Sequence, residues 1–427
     1  MYCQLELLKK CSPPSVRRIL DELPESLDET YERILRDIRK PNRGHAHRLL
    51  QCLLAAVRPL LVEELAEVLA FDFNAEGMPK LNQGWRWEDQ EEAVMSACSS
   101  LVTVVKDRNS RVVQFSHFSV KEFLTANRLA EPIRDVSRYY IRPEAAHTIL
   151  AQACLGVLLR LDDDVDRDNI KSFPLVRYAA QYWPAHARVE NVSSRIKDGM
   201  ECLFDADKPH FATWLWVYNE DRGRSMSTML PEEPEAVPLY YAARLGLYDL
   251  AEYLIAGHPE HVNALGGYAR TPMHAAASGG HTKILSLLIE HGVDVECRDH
   301  GGNTALHLTS RNAELEAGQF LLDCGADINA RNLDNNTPLI NAAGRDFARM
   351  LLERGAAVDA RVQLGRTALH WAIVAKNLQS VRLLLEYGAD VSVRDELGKT
   401  PSELASFYGF QEIVELLSAY GAESVKK

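Results

Sequence analysis

The chain is short of the patterns that mark most chemistries. Its eight cysteines are scattered over 427 residues without a single C-x-x-C, and no secretory apolar region opens the chain, which argues against a disulfide framework or a zinc ribbon and for a reducing, intracellular, cytoplasmic setting. Long hydrophobic runs are missing too. The best, Ile149 to Ala151 and Ala153 to Leu159, are parted by Gln152 and fall short of the roughly 18 residues a membrane helix needs, so no membrane association is expected. Positive charge is scarce: the net charge is -12, with a pI near 5.7, which disfavours a nucleic-acid partner. No G-x-S-x-G elbow occurs, the nearest approach being Gly223-Arg224-Ser225-Met226-Ser227. The lone Gly398-Lys399-Thr400 has Val393 where a phosphate-cradling loop needs its first glycine. A serine hydrolase and a nucleotide hydrolase are both unsupported, and no catalytic residue, cofactor or metal site is predicted.

What is present is a period. Thr271, Thr304, Thr337 and Thr367 open similar segments 33, 33 and 30 residues apart, which close at Gly292, Gly325, Gly355 and Gly388. In Thr271-Pro272-Met273-His274 the threonine is placed to cap a helix, and the proline stands in the first turn, where its missing N–H is not needed. The pairs Leu287-Leu288, Leu321-Leu322, Leu351-Leu352 and Leu384-Leu385 precede the closing glycines, which suit the left-handed end of a second helix. Gly302, Asn335, Gly365 and Gly398 stand two before the next threonine, a position that calls for positive φ in a tight hairpin. His274, His307 and His370, fourth in their segments, are expected to bond neighbouring backbone rather than a metal. Between Thr337 and Gly355 three residues are missing, which predicts a clipped inter-helix turn or a rotated second helix.

These coinciding features resemble the ankyrin repeat, with six units from Val237 to the polar last unit at Thr400-Pro401-Ser402-Glu403. The resemblance implies an α-solenoid that binds a protein partner through its hairpin tips and inner helices. The tip residues here are Arg298, Asp299 and His300, Leu333 and Asp334, Gln363 and Leu364, and Asp395, Glu396 and Leu397. The three leucines recur at almost the same place and can form either an apolar strip for the partner or packing between hairpins.

Toward the N-terminus, Ser26 and Glu29 have capping-box spacing before Leu27, Tyr31, Ile34, Leu35 and Ile38, an amphipathic helix. Helical stretches at 47–57, 62–71 and 91–99 precede apolar segments at 101–105 and 111–115 that bracket a polar turn, the plan of a winged helix. The phrases LPESLDETYERIL, VRPLLVEELAEVLAF and VVQFSHFSVKEFL resemble the region after the nucleotide-binding domain of fungal NACHT-type (STAND) signalling proteins. That resemblance implies packing against an NTPase domain, and an alternative role as the sensor half of a nucleotide-dependent switch whose NTPase is absent here. DNA binding is opposed by charge: residues 41 to 130 hold ten Lys and Arg against eleven Asp and Glu, and Glu88, Asp89, Glu91 and Glu92 open the third helix. His45 and His47 are expected on the surface.

Helical spacing returns at 145–161, 173–187 and around Phe211, Trp214 and Leu215. The acidic run Asp162 to Asp168 lacks the glycine and final glutamate of a calcium loop and reads as a solvated turn. Residues 222 to 237 read as a flexible junction. The expectation is therefore a mainly α chain: the end of a NACHT-like helical region at 1–40, a winged-helix domain with a small β-hairpin at 41–130, a helical linker domain at 131–232, and the repeat array at 233–427. Its function would be a non-enzymatic protein-binding scaffold.

Overall fold

The computed structural model describes residues 26–73, 77–98, 100–107, 110–131, 135–161, 169–221, 234–342 and 345–424, and divides between Pro234 and Glu235 into two units, each with its own core. Residues 1–25 of the expected NACHT-like helical region, the acidic run at 162–168 and most of the 222–237 junction lie outside the described residues.

In the first unit, α1 (Leu27–Asp37) is capped by Ser26, whose hydroxyl accepts the Glu29 N–H at 3.2 Å, and it buries Tyr31 and Leu35. Then come α2 (Arg43–Ala55), β1 (Leu60–Leu61), α3 (Val62–Leu69), β2 (Phe71–Asp72), β3 (Lys80–Leu81), α4 (Gln90–Cys98), β4 (Val102–Asp107) and β5 (Ser110–Phe115). The hairpin of β4 and β5 is the expected wing. Sequence spacing gave no hint of β1, which pairs antiparallel with β5 (Leu60 opposite Val113) to make a sheet in the order β1-β5-β4, nor of the small β2-β3 pair. Each of these strands is two residues long, too short to carry an alternation.

The chain continues through α5 (Phe118–Thr125), α6 (Pro143–Leu158), α7 (Val176–Ala187), α8 (Lys197–Leu203) and α9 (His210–Asp221). α6 is apolar on nearly every side and buried accordingly, packing on both α7 and α2, so residues on either side of 130 share one core. Gly156 lets α6 also lie close against β2, since a Cβ there would sit 2.7 Å from the Phe71 ring. Two buried carboxylates are hydrogen-bonded here, and Glu67 ties residues on either side of 130 together. Glu64 takes both guanidinium nitrogens of Arg58 and the Leu61 N–H, while Glu67 takes Arg86 at 2.5 Å and the Leu175 N–H at 2.7 Å. Inside α7, Pro184 has no N–H to offer the carbonyl of Ala180, and Trp214 Nε1–H donates to that carbonyl instead, at 3.1 Å. Trp183, Phe204, Phe211 and Trp214 cluster around this bond.

The second unit is six helix pairs: α10 (Pro238–Leu245) with α11 (Tyr248–Gly257), α12 (Pro272–Ser278) with α13 (Thr282–Glu290), α14 (Ala305–Asn312) with α15 (Leu315–Asp323), α16 (Pro338–Asn341) with α17 (Arg345–Glu353), α18 (Ala368–Val374) with α19 (Leu378–Glu386), and α20 (Pro401–Phe407) with α21 (Gln411–Ser424). Successive first helices stack on one another, as do successive second helices, and Leu285, Leu288, Leu321 and Leu351 are fully buried between them. Gly292, Gly325, Gly355 and Gly388 close their helices at φ between 81° and 91°, the left-handed conformation their position predicts. In the fourth pair the missing residues come from the first helix. α16 keeps four residues where its counterparts have seven or eight, while α17 keeps nine. In place of the expected clipped turn, it is the first helix that is short. Leu351 and Leu352 stay buried, as the stacking of second helices requires, and the second helix keeps its length.

Candidate functional site

Thr271, Thr304 and Thr367 cap their helices reciprocally with the histidine three residues on. In the third repeat the Thr304 N–H and hydroxyl meet His307 Nδ1 at 3.2 and 2.9 Å, and His307 Nε2 lies 3.0 Å from the Asn336 carbonyl of the next repeat. A carbonyl only accepts, so Nε2 carries the proton and Nδ1 is the acceptor. His274 and His370 repeat the arrangement toward Asn303 and Lys399. All three rings are buried, and burial is the leading cause that lowers their pKa. They are structural, as expected of backbone-bonded histidines.

The hairpins before each threonine are joined by backbone bonds: His300 N–H to the Tyr268 carbonyl (2.9 Å), Leu333 N–H to Gly301 (2.9 Å) and Glu396 N–H to Leu364 (2.8 Å). Gly302, Asn335, Gly365 and Gly398 adopt the expected positive φ. Arg298 reaches from its own turn to the Arg331 carbonyl at 2.5 Å, and Arg331 to the Arg361 carbonyl at 2.7 Å, so these cations staple the row.

Of the expected contact residues, Asp299 and Asp395 are corrected. Both are buried. Asp299 accepts from the Gly301 and Asn303 N–H groups, the Asn303 amide and Arg270, and Asp395 accepts from the Leu397 and Lys399 N–H groups and Arg366. Burial works to raise the Asp299 carboxyl's pKa, but these hydrogen bonds outweigh it and hold it below the ordinary value. Such carboxylates shape the turn from within and have no surface to offer. Arg298, His300, Asp334, Gln363 and Glu396 are exposed, and Leu333, Leu364 and Leu397 are 78%, 46% and 68% exposed. Sequence reading passed over Tyr268, 77% exposed three residues before Thr271, the place that Leu364 and Leu397 hold before their own threonines. An aromatic there was the available signal.

His45 and His47 are half-buried rather than on the surface, with His47 edge-on to Tyr139. The grouping with metal-ligand spacing among the described residues is His258, Glu260 and His261, whose ligand atoms lie within 4.8 Å of one another on an exposed loop. Its signal is the run His258-Pro259-Glu260-His261, which sequence reading did not single out. No described helix is long and apolar enough to cross a membrane.

Comparison with known proteins agrees with this architecture. Residues 239–332, 330–395 and 363–427 match the family described as ankyrin repeats, and residues 31–133 match the one described as the GPI inositol-deacylase winged helix domain. This is a protein with an N-terminal winged helix and a C-terminal ankyrin-repeat array. Among relatives, the azaphilone pigments biosynthesis cluster protein L of Monascus ruber is 34% identical over 295 residues, covering 65% of this chain and 61% of that protein. A transient receptor potential cation channel subfamily A member 1 homolog of Caenorhabditis elegans is 29% identical over 162 residues, 37% of this chain and 13% of the channel. The human BCL-6 corepressor-like protein 1 is 32% identical over 133 residues, 31% of this chain and 7% of that protein. The chain thus spans less than two thirds of the length of each. Among solved structures, an ankyrin repeat domain from Acinetobacter baumannii aligns at TM-score 0.39 and 30% identity, over 43% of this chain and 97% of that one. A chain from a complex of a predatory endopeptidase of Bdellovibrio bacteriovorus with an immunity protein aligns at 0.39 and 24%, over 42% and 96%. Ankyrin arrays are protein-interaction modules, and neither matched domain is of a typically catalytic kind.

Proposed function

We propose that the chain is a non-enzymatic scaffold whose array recognises a protein partner through its hairpin tips. The observation that carries this is the row Tyr268, Leu333, Leu364 and Leu397: large apolar side chains, each close to half exposed or more, on tips that backbone bonds and arginine staples already hold in place. A pre-ordered apolar row loses little freedom on binding. Arg298, His300, Asp334, Gln363 and Glu396 supply a polar rim, and the inner helices supply the rest of the contact. Cys52, Cys154, Cys202, Cys297 and Cys324 are free thiols, which suits a reducing, cytoplasmic setting. The test is the triple variant Leu333→Ser, Leu364→Ser, Leu397→Ser, compared with the parent by quantitative affinity capture and circular dichroism. Loss of captured partners from a folded array supports the reading; unchanged capture, or unfolding, rejects it.

A second reading is favoured by the winged-helix match at 31–133. In it the first unit packs on an NTPase domain and the repeats act as the sensor of a nucleotide-dependent NACHT (STAND) switch. An antibody to residues 271–400 distinguishes the two by the size of the endogenous product: a band near 47.9 kDa favours the scaffold, and a much larger one the switch.

A further inference from the structure

After the first helix pair the chain departs from the way later repeats close their second helices. Pro259 stands 33 residues before Gly292, where those repeats place a left-handed glycine, and a proline ring cannot reach positive φ. The chain instead leaves α11 at His258 (φ -137°) and turns into a short 3₁₀ helix, Pro259–Asn263. Backbone bonds fix this turn. The His261 N–H donates to the His258 carbonyl at 3.0 Å and the Ala264 N–H to the His261 carbonyl at 3.1 Å, while the buried Val262 anchors the turn from within. A 3₁₀ helix has three residues per turn, so side chains at i and i+3 fall on one side. That places the rings of His258 and His261 together, with centres 4.9 Å apart.

Glu260 stands against both. Its Oε1 lies 3.3 Å from His258 Nδ1 and 3.9 Å from His261 Nε2. Hydrogen bonding accounts poorly for this set, since the first distance is long for an N–H···O bond and the second is beyond one. A metal ion accounts for it better. Tetrahedral zinc, with bonds of about 2.0–2.1 Å to nitrogen and oxygen, holds its ligand atoms about 3.4 Å apart. The three ligand atoms here already lie within 4.8 Å of one another. The His258 and Glu260 side chains are more than half exposed, so small rotations close the remaining gap without disturbing the core. The turn also follows the C-terminal end of α11, whose partial negative charge favours a cation.

We propose that His258 Nδ1, Glu260 Oε1 and His261 Nε2 form a binding site for one Zn²⁺ ion, with water completing a four-coordinate shell. Two imidazoles and one carboxylate are a donor set of three-residue zinc sites. Mg²⁺ and Ca²⁺, which favour shells of six or more oxygens, gain little from two ring nitrogens. The site shares no residue with the exposed tip row and does not depend on partner binding.

The experiment titrates Zn²⁺ into the full chain, prepared without a histidine tag and freed of metal, by calorimetry, and repeats the titration with Co²⁺ by absorption. The expected result is one ion per chain with a Kd of about 0.1 mM or tighter. Each of His258→Gln, Glu260→Gln and His261→Gln should weaken it at least about tenfold, the loss that even an outer-shell change brings to a metal site. Bound Co²⁺ should show the strong visible bands of a tetrahedral ion without the near-ultraviolet band of a thiolate ligand. Circular dichroism should be unchanged in the variants, because none of the three side chains is in the core. Three results overturn the proposal: no saturable Zn²⁺ binding below about 0.1 mM; a site that keeps its affinity in the His258→Gln, His261→Gln double variant, which would place the ion elsewhere; or a thiolate band from bound Co²⁺.

Discussion

Acid should weaken the first unit through one histidine. His186 is fully buried in α7, with Nε2 3.0 Å from the Tyr178 hydroxyl and Nδ1 2.9 Å from His147 Nδ1. Tyr178 accepts the Val57 N–H at 3.1 Å and gives its own proton to His186, which leaves the His186 Nδ1 proton to be donated to His147. The chain is complete only while His186 is neutral, and burial, helped by His147, pushes its pKa down from 6.5 to about 3. A histidine with a depressed folded pKa stabilises fully above 6.5, and that stability erodes as pH falls from 6.5 toward 3, because the unfolded chain takes up the proton first. At pH 5 the unfolded group is about 1.5 units past its pKa while the folded one is still neutral, so the loss relative to pH 7.5 is about 2 kcal/mol at 1.36 kcal/mol per unit. Urea unfolding read by tryptophan fluorescence follows this unit, which holds five of the six tryptophans, Trp183 and Trp214 buried among them. His186→Gln keeps an acceptor and a donor without a titrating proton, so its stability should fall by about 2 kcal/mol less than that of the parent between pH 7.5 and 5. Equal slopes for parent and variant would refute the reasoning, whatever their absolute stabilities.

Two further perturbations probe the array. His307→Leu removes three hydrogen bonds and leaves the buried Thr304 N–H without its acceptor, a loss of about 2–4 kcal/mol, which for a unit of this size lowers Tm by roughly 4–16 °C; a change under about 2 °C by calorimetry would mean the histidine contributes little. Gly318→Ala should destabilise despite its better helix propensity, because the added Cβ would meet the buried Phe347 ring at 2.5 Å. Overpacking of about 1–3 kcal/mol outweighs a gain of about 1 kcal/mol, and a rise in stability would count against that packing. Together with the triple leucine variant, these separate three roles within one array: bridging histidines, close packing and partner tips.

Local rules made the array readable before any coordinate. A threonine and the histidine or glutamate three residues on, a glycine after a leucine pair, and a glycine or asparagine in a tight turn all act within a few residues, so the composition of each segment determines its caps and turns. The wing strands were legible for the same reason, as two apolar runs about a polar turn. Tertiary structure alone decided matters that depend on residues far apart in sequence. Asp299 and Asp395 look like exposed tip charges until Arg270 and Arg366 of the preceding hairpins fold over them. β1 exists only because β5 comes to its side. Pro184 is tolerated within α7 because Trp214, thirty residues on, takes the carbonyl it abandons. The sequence by itself established that three residues were missing from the fourth repeat. That they were taken from α16 was decided by the tertiary structure, in which α17 keeps nine residues and Leu351 stays fully buried.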